Sequence, residues 1–291
     1  MTGAHSAAGA RQGRSVAGAT VLVTGAASGM GLLYAERAVA ESAAHVVLWD
    51  RNIDKLEAIA ERLNASPGRT TVHPYRIDVS DPVIIHDTAL RVLDEVGVPD
   101  VLINNAGIVR GKYFWEHDTT ADTIETMKIN ALGPMIVTRE FLPAMIDRDR
   151  PARIVNIASA AGLISNPRMS VYAASKWAVI GWSDSVRLEL VQQGHRHVRV
   201  TTVAPSYIST GMFEGAKGPV MTPIMTPEYV VGRVWKAMLA GKPLLLLPKS
   251  VHIAKVTKGL LPTAVWDRMA DNVFHLYTTM SDFTGREARN P

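Results

Sequence analysis

Short runs of β-branched and aliphatic residues recur along the chain: TVLVT (20–24), HVVLWD (45–50), TVHPYRI (71–77), VLIN (101–104), RIVNIA (153–158), VRVTTVA (198–204) and LLLL (244–247). Apolar runs of about four to eight residues bounded by turn signals suit strands buried on both faces. Between them, residues 29–43, 53–64, 81–96, 121–146 and 170–193 place apolar side chains at helical spacing, and each is long enough to cross from one parallel strand to the next. The alternation predicts an α/β fold, a doubly wound parallel seven-stranded sheet with helices on both faces in a single domain. Ligands of such sheets bind beyond the carboxyl ends of the strands. The Gly-, Pro-, Ser-, Thr- and Met-rich stretch at 205–226 follows a strand end, where a long loop is expected to act as a substrate lid.

Composition narrows the class. With 291 residues, 47% hydrophobic and 20% charged, the chain buries a sizeable core and is neither disordered nor collagen-like. No apolar run approaches the roughly 18 to 20 residues of a spanning helix, and the opening MTGAHSAAGARQGRSVAGA lacks the apolar stretch of a secretory leader. A cytoplasmic protein is expected. The absence of cysteine removes disulfides and thiolate metal sites, and the histidines are scattered, His195 and His197 falling in a turn-like QQGHRH, so no metal site is expected. The net charge of +4 resides at the two ends, since residues 20–248 balance at 23 basic against 23 acidic residues. A neutral body argues against a nucleic-acid partner. Residues 1–17 read as a floppy arm, 18–248 as the folded body and 249–291 as a helical extension.

Candidate chemistry starts at the first strand, which runs into Thr24-Gly25-Ala26-Ala27-Ser28-Gly29-Met30-Gly31 before a helical pattern. Three glycines across a strand-to-helix turn let backbone N–H groups approach a pyrophosphate at the helix N-terminus, the Rossmann arrangement for a dinucleotide. Asp50 ends the second strand nineteen residues beyond Gly31, where an acid reaches the adenosine ribose hydroxyls and repels a 2′-phosphate. NAD is therefore favoured over NADP, with Arg51 the residue able to turn toward a phosphate. A helix N-cap role for Asp50 is compatible with the same position.

On the helix at 170–193, Tyr172 and Lys176 are four residues apart and share a face, so an ammonium beside the phenol favours its phenolate. Ser159, thirteen residues earlier at a strand end, offers a hydroxyl to a substrate oxygen.

Taken together, TGAASGMG, NNAG (Asn104 to Gly107), Asn130 in KIN, Ser159 in IASAAG and YAASK resemble the short-chain dehydrogenase/reductase family across residues 18–248. The resemblance implies a dinucleotide-binding and catalytic domain there. It makes Tyr172 the general acid/base, Lys176 its pKa-lowering partner and holder of the nicotinamide ribose, Ser159 the group that polarises the substrate oxygen, and Asn130 the anchor of a proton-relay water. Asp78 and Val79 would contact the adenine, Asn104 and Gly107 line the cleft, and Thr210 bond the nicotinamide carboxamide. The implied cofactor set also takes in Gly25, Ser28, Gly29, Met30, Gly31, Arg51, Asn105, Ala106, Pro205 and Ile208. Pro205-Ser206 departs from the family's usual Pro-Gly at this turn. VVLWD, NNAGIVRGK, FLPAM, TGMFEG and FTGRE (283–287) are similar to the branch of retinol and hydroxysteroid dehydrogenases, which act on lipophilic alcohols. A catalytically silent dinucleotide sensor on the same fold is the rival reading.

Residues 249–266 carry Lys249, Lys255 and Lys258 and no acid among many apolar residues. They read either as an interfacial helix on anionic lipid or as an extension that packs on a sister subunit or covers the pocket. The extension is preferred, because three lysines attract weakly and Pro262 interrupts the pattern. Trp177 and Trp182 read as packing or subunit-interface residues, and Met212, Met221 and Met225 equally as lid or gap-filling residues. The resemblance implies a homodimer or homotetramer through 121–146 and 170–193.

Overall fold

The computed structural model describes residues 15–220 and 222–285. Most of the expected arm, Met221 and the last two residues of FTGRE lie outside the described residues. Val16, which the sequence pattern placed in the arm, is buried at 1% exposure within the core.

All seven expected strands form, with ends within one residue of expectation: β1 (Thr20–Thr24), β2 (His45–Asp50), β3 (Thr71–Arg76), β4 (Val101–Asn104), β5 (Ala152–Ile157), β6 (Val198–Pro205) and β7 (Leu244–Leu247). They make one parallel sheet in the order β3-β2-β1-β4-β5-β6-β7. The chain reverses its direction of travel across the sheet between β1 and β4, which opens a crevice at their carboxyl ends.

The helices are α1 (Gly29–Ala40), α2 (Ile53–Asn64), α3 (Pro82–Glu95), α4 (119–147), α5 (Ser170–Gln192) and α6 (Pro227–Leu239). Alternate strand residues sort the two faces. Val21, Val23, Val46 and Leu48 join Tyr34 and Ala35 of α1, Leu56 and Ala60 of α2 and Val234 and Trp235 of α6 in one core. Leu22, Val47 and Trp49 point the other way, against Ile85 and Val92 of α3, Phe141 of α4 and Leu190 of α5.

Two helices differ from the sequence pattern. α4 is not uniformly α-helical: it is π-wound over Thr119–Ile124 and again over Lys128–Leu132. α6 was absent from the expected helices, although Thr226 caps it through Tyr229 N, Pro227 occupies its first turn and Val230, Val234 and Met238 repeat along its buried face. The preceding loop signals concealed its start.

After β7 the chain forms α7 (Lys249–Leu260), stops at Pro262 and resumes as α8 (Thr263–Asn272). Trp266 and Ala270 of α8 pack with Ile164, Leu163 and Ala254, so the extension covers the body. The following segment straps down the long loop: Lys217 N donates to Thr279 O (2.8 Å), Val220 N to Phe274 O (3.0 Å) and Thr284 N to Glu214 O (2.9 Å).

Candidate active site

At the carboxyl ends of the strands lies a cleft of about 550 Å³. Its walls receive Gly25, Ser28, Gly29 and Met30 from the glycine turn, Asp50 and Arg51 from the end of β2, and Asp78 and Val79 from the end of β3. Asn105, Ala106 and Gly107 follow β4, while Pro205, Ile208 and Thr210 follow β6. Tyr172, Lys176 and Ser159 close one end.

The glycine turn is fixed by sterics and by hydrogen bonds. A Cβ on Gly25, whose φ is +67°, would meet Ala106 Cα at 2.9 Å, and one on Gly31 would collide with the Gly25 carbonyl. Gly31 thus packs α1 on the turn from behind the cleft wall. Thr24 Oγ1 accepts from Asn105 N and Ala106 N, both at 3.0 Å, while Asn105 Nδ2 donates to Thr24 O (3.0 Å). Asp50 Oδ2 accepts from Ala27 N (3.1 Å) and Oδ1 from Asn52 N (3.1 Å). The N-cap of α2 is Asn52, which accepts from Lys55 N, so the cap role open to Asp50 in the sequence belongs to its neighbour.

Asn104 is a correction. Expected in the cleft wall, it is buried beneath it, where Nδ2 donates to Asn156 Oδ1 (2.8 Å) and Thr138 Oγ1 (3.0 Å). Strand alternation turns it toward α4, and its neighbour Asn105 takes the cleft position.

The catalytic candidates converge from three elements. Lys176, 4% exposed, donates from Nζ to Ile157 O (2.9 Å) and sits 5.7 Å from the Tyr172 ring centroid. Ser159 caps the short turn Ala160–Gly162, and a Cβ on Gly162 would lie 2.7 Å from the Lys176 backbone carbonyl. That close approach sets Ser159 against α5. Asn130, fully buried in the π-wound part of α4, accepts on Oδ1 from Ile108 N (2.8 Å). Its Nδ2 donates to Ile108 O (2.8 Å) and Ser175 Oγ (3.2 Å), and Ser175 Oγ donates to Tyr172 O (2.7 Å). Asn130 therefore stands behind the cleft and ties the chain after β4 to α5.

Electrostatics differ from the simple expectation. Burial pushes Tyr172 up to about 12, against a hydrogen bond from Ser159 that draws it down. Burial likewise pulls Lys176 down to about 8. Burial is the first cause of both shifts, and the hydrogen bond from Ser159 works against it at the phenol.

A second, mostly apolar cavity of about 210 Å³ adjoins the cleft and shares Ser159, Ser206 and Phe213 with it. Ile164, Met169 and Tyr207 line it from the body, Val220 from the long loop, and Val251, Ala254 and Trp266 from α7 and α8. Asn166 Nδ2 donates to Tyr207 OH (2.9 Å) and Thr279 Oγ1 (2.8 Å), which joins the body, the start of the long loop and the terminal segment beside the cavity. None of Asn166, Tyr207, Phe213 and Thr279 stood out in the sequence; the string TGMFEG contained Phe213 without marking it. Trp177 is half exposed and lines neither cavity; its indole N–H donates to the carbonyl of Ala161, a residue of the apolar cavity wall.

The model of the family described as short chain dehydrogenase matches residues 19–218. The chain is a short-chain dehydrogenase. It is similar to epidermal retinol dehydrogenase 2 of Mus musculus, 36% identical over 281 residues that cover 95% of this chain and 88% of the relative. Retinol dehydrogenase 10 of Homo sapiens is 34% identical, with 86% of this dehydrogenase and 80% of the relative covered. Among solved structures, a short-chain dehydrogenase/reductase from Burkholderia phymatum in complex with NAD superposes with a TM-score of 0.76 at 25% identity, covering 84% of this chain and 94% of that one. A metagenomic short-chain oxidoreductase in complex with NADP gives 0.66 at 30% identity, covering 80% and 97%. This dehydrogenase thus falls in the retinol dehydrogenase-like branch and is an oxidoreductase acting on CH–OH donors. No helix among the described residues is long and apolar enough to cross a membrane.

Proposed function

We propose that the protein interconverts a lipophilic alcohol and its carbonyl with NAD(H), using Tyr172 as general acid/base. The observation that carries this reading is the junction at Ser159, a residue that lines both the cleft and the mostly apolar cavity. A substrate oxygen held there beside Tyr172 leaves its hydrocarbon body in the apolar cavity.

The residues present fit a dinucleotide: the turn at Gly25 excludes side chains, α1 starts at the cleft, and Asp50 sits where a ribose is expected. Gly25, Ser28, Gly29 and Met30 would hold the pyrophosphate, Asp50 and Arg51 the adenosine ribose, Asp78 and Val79 the adenine, and Lys176, Pro205, Ile208 and Thr210 the nicotinamide half, with Asn105, Ala106 and Gly107 as the cleft floor. A bound nicotinamide supplies a hydride acceptor or donor. In oxidation the Tyr172 phenolate takes the hydroxyl proton while Ser159 bonds the substrate oxygen. Lys176 balances charge at the phenolate, and Asn130 keeps Ile108 and α5 in register. The Asp50 carboxylate favours NAD over NADP.

Exposed Leu188 and Val191 on α5 and Ile124 and Leu132 on α4 support self-association as a homodimer or homotetramer through these helices.

The test is the initial rate of NADH formation with a panel of secondary alcohols, steroids and retinol, beside Tyr172→Phe. Turnover of a lipophilic alcohol and a loss of at least about a hundredfold in the variant, with NADH binding little changed, is expected. NADH binding without turnover of any panel member would favour the silent sensor instead.

A further inference from the structure

α7 is amphipathic in an unusual sense. Its inner side closes the apolar cavity through Val251, Ala254 and Thr257, yet Ile253, Val256 and Leu260, spaced three and four apart, form a second apolar stripe 67%, 59% and 78% exposed. Ile253 belongs to both: it lines the cavity and faces outward, as does Val220 of the long loop, 46% exposed. The mouth of the cavity therefore opens within the exposed apolar face.

The charges along α7 have one sign. Lys249 and Lys255 are exposed beside it, with His252 between them, and no acid occurs from 249 to 266. Lys258 is turned inward, where Nζ donates to Leu163 O (3.2 Å) and lies 5.2 Å from the Trp177 ring centroid. Asp267, the first acid that follows, lies on α8 and accepts from Tyr277 OH (2.6 Å).

An apolar stripe flanked by lysines matches a negatively charged lipid surface. A second copy of the chain matches it poorly, because a two-fold contact through this face would bring lysines against lysines with no acid on the helix to pair them. We infer that the outer face of α7 docks on anionic bilayers and that lipophilic substrate enters the cavity from the lipid through the mouth between Ile253 and Val220. The entry route rests on the alcohol-oxidation reading above; the docking surface does not.

The test is co-sedimentation of the full chain with vesicles of phosphatidylglycerol and phosphatidylcholine, against phosphatidylcholine alone, at low and high salt. Binding to the anionic vesicles that weakens with salt is expected. Val256→Glu/Leu260→Glu should abolish it, and Lys249→Glu/Lys255→Glu should weaken it by roughly fivefold or more per lysine. These four residues line neither cavity, so both variants should keep their melting temperature and their turnover of a water-soluble alcohol. Failure of the wild type to sediment, or equal sedimentation of Val256→Glu/Leu260→Glu, would overturn the docking surface. So would loss of an oligomer in that variant by light scattering, which would assign the face to a second copy. Docking with no preference for vesicle-borne over detergent-dispersed alcohol would overturn only the entry route. Inactivity toward every alcohol in a chain that still sediments would count against the enzymatic reading instead.

Discussion

The ring of Phe213 stands edge-on to Tyr172, centroids 5.9 Å apart at 83°, and edge-on again to Tyr207 at 5.4 Å and 85°. Phe213 faces both cavities, so one aromatic ring partitions the site that Tyr172 serves from the space that a hydrocarbon body would occupy. Phe213→Ala is expected to join the two and raise kcat/KM for bulky alcohols relative to short ones by roughly tenfold, the scale of a pocket contact. Steady-state kinetics over an alcohol series of rising length check this; an unchanged ratio would show that the ring does not set size.

Proton inventory gives a second expectation. With Lys176 pulled down to about 8 and Tyr172 pushed up to about 12, the first proton lost around the lower value belongs to the pair, and with the remaining proton on Lys176 the Tyr172 phenolate can accept one from an alcohol. Oxidation should therefore rise, and carbonyl reduction fall, as pH passes through roughly 8. Lys176→Met should move the oxidative limb upward, toward the tyrosine's own range. Rates in both directions from about pH 6 to about pH 10 decide it, and a flat oxidative profile would exclude the pair as the proton carrier. Stability carries the same sign: the folded chain binds fewer protons at Lys176 than the unfolded chain between about 8 and 10.5, so this group makes folding more favourable as pH rises through that window.

Asp50 has two separable jobs. Asp50→Asn removes the charge and keeps one acceptor oxygen, which can serve Ala27 N while the exposed bond from Asn52 N is lost, whereas Asp50→Ala loses the charge and both bonds. The first should shift the NAD to NADP ratio of kcat/KM toward NADP by roughly tenfold or more, and the second should shift it likewise and lower the melting temperature further than the first. An unaltered cofactor ratio in Asp50→Asn would remove the carboxylate from the selection of NAD.

Tyr34 is fully buried in α1, its hydroxyl has no hydrogen-bond partner among the described residues, and burial raises its pKa. An unsatisfied buried hydroxyl costs about 1–3 kcal/mol. Tyr34→Phe should accordingly stabilise the fold, and a gain of about 1 kcal/mol corresponds to roughly 2–4 °C in Tm. A lower Tm on calorimetry would mean that the hydroxyl has found a partner.

Local signals carried most of the fold. The strands are uniform apolar runs because a parallel sheet is covered on both faces, and such runs are visible without neighbours. The glycine turn, Asp50 and the Tyr172–Lys176 pair were equally legible, because each is defined within a few residues by backbone sterics or helical spacing. Asn104 and Asn105 were not distinguishable: adjacent in sequence and identical in type, they are assigned to core and cleft only by the strand's alternation against α4. α6 was obscured by the turn-rich segment before it, although its cap and its apolar repeat were both present.

The sequence by itself determined the order of strands and helices, the dinucleotide turn and the reactive group set, because these follow from periodicity and short spacing. Tertiary structure alone decided what surrounds them. Phe213, Tyr207, Asn166 and Thr279 meet from three distant segments, the desolvation that moves Tyr172 and Lys176 comes from packing, and the second exposed face of α7 appears only once its first face is seen to be used on the cavity. Proximity between segments and the removal of water are properties of the folded chain, and no local pattern encodes them.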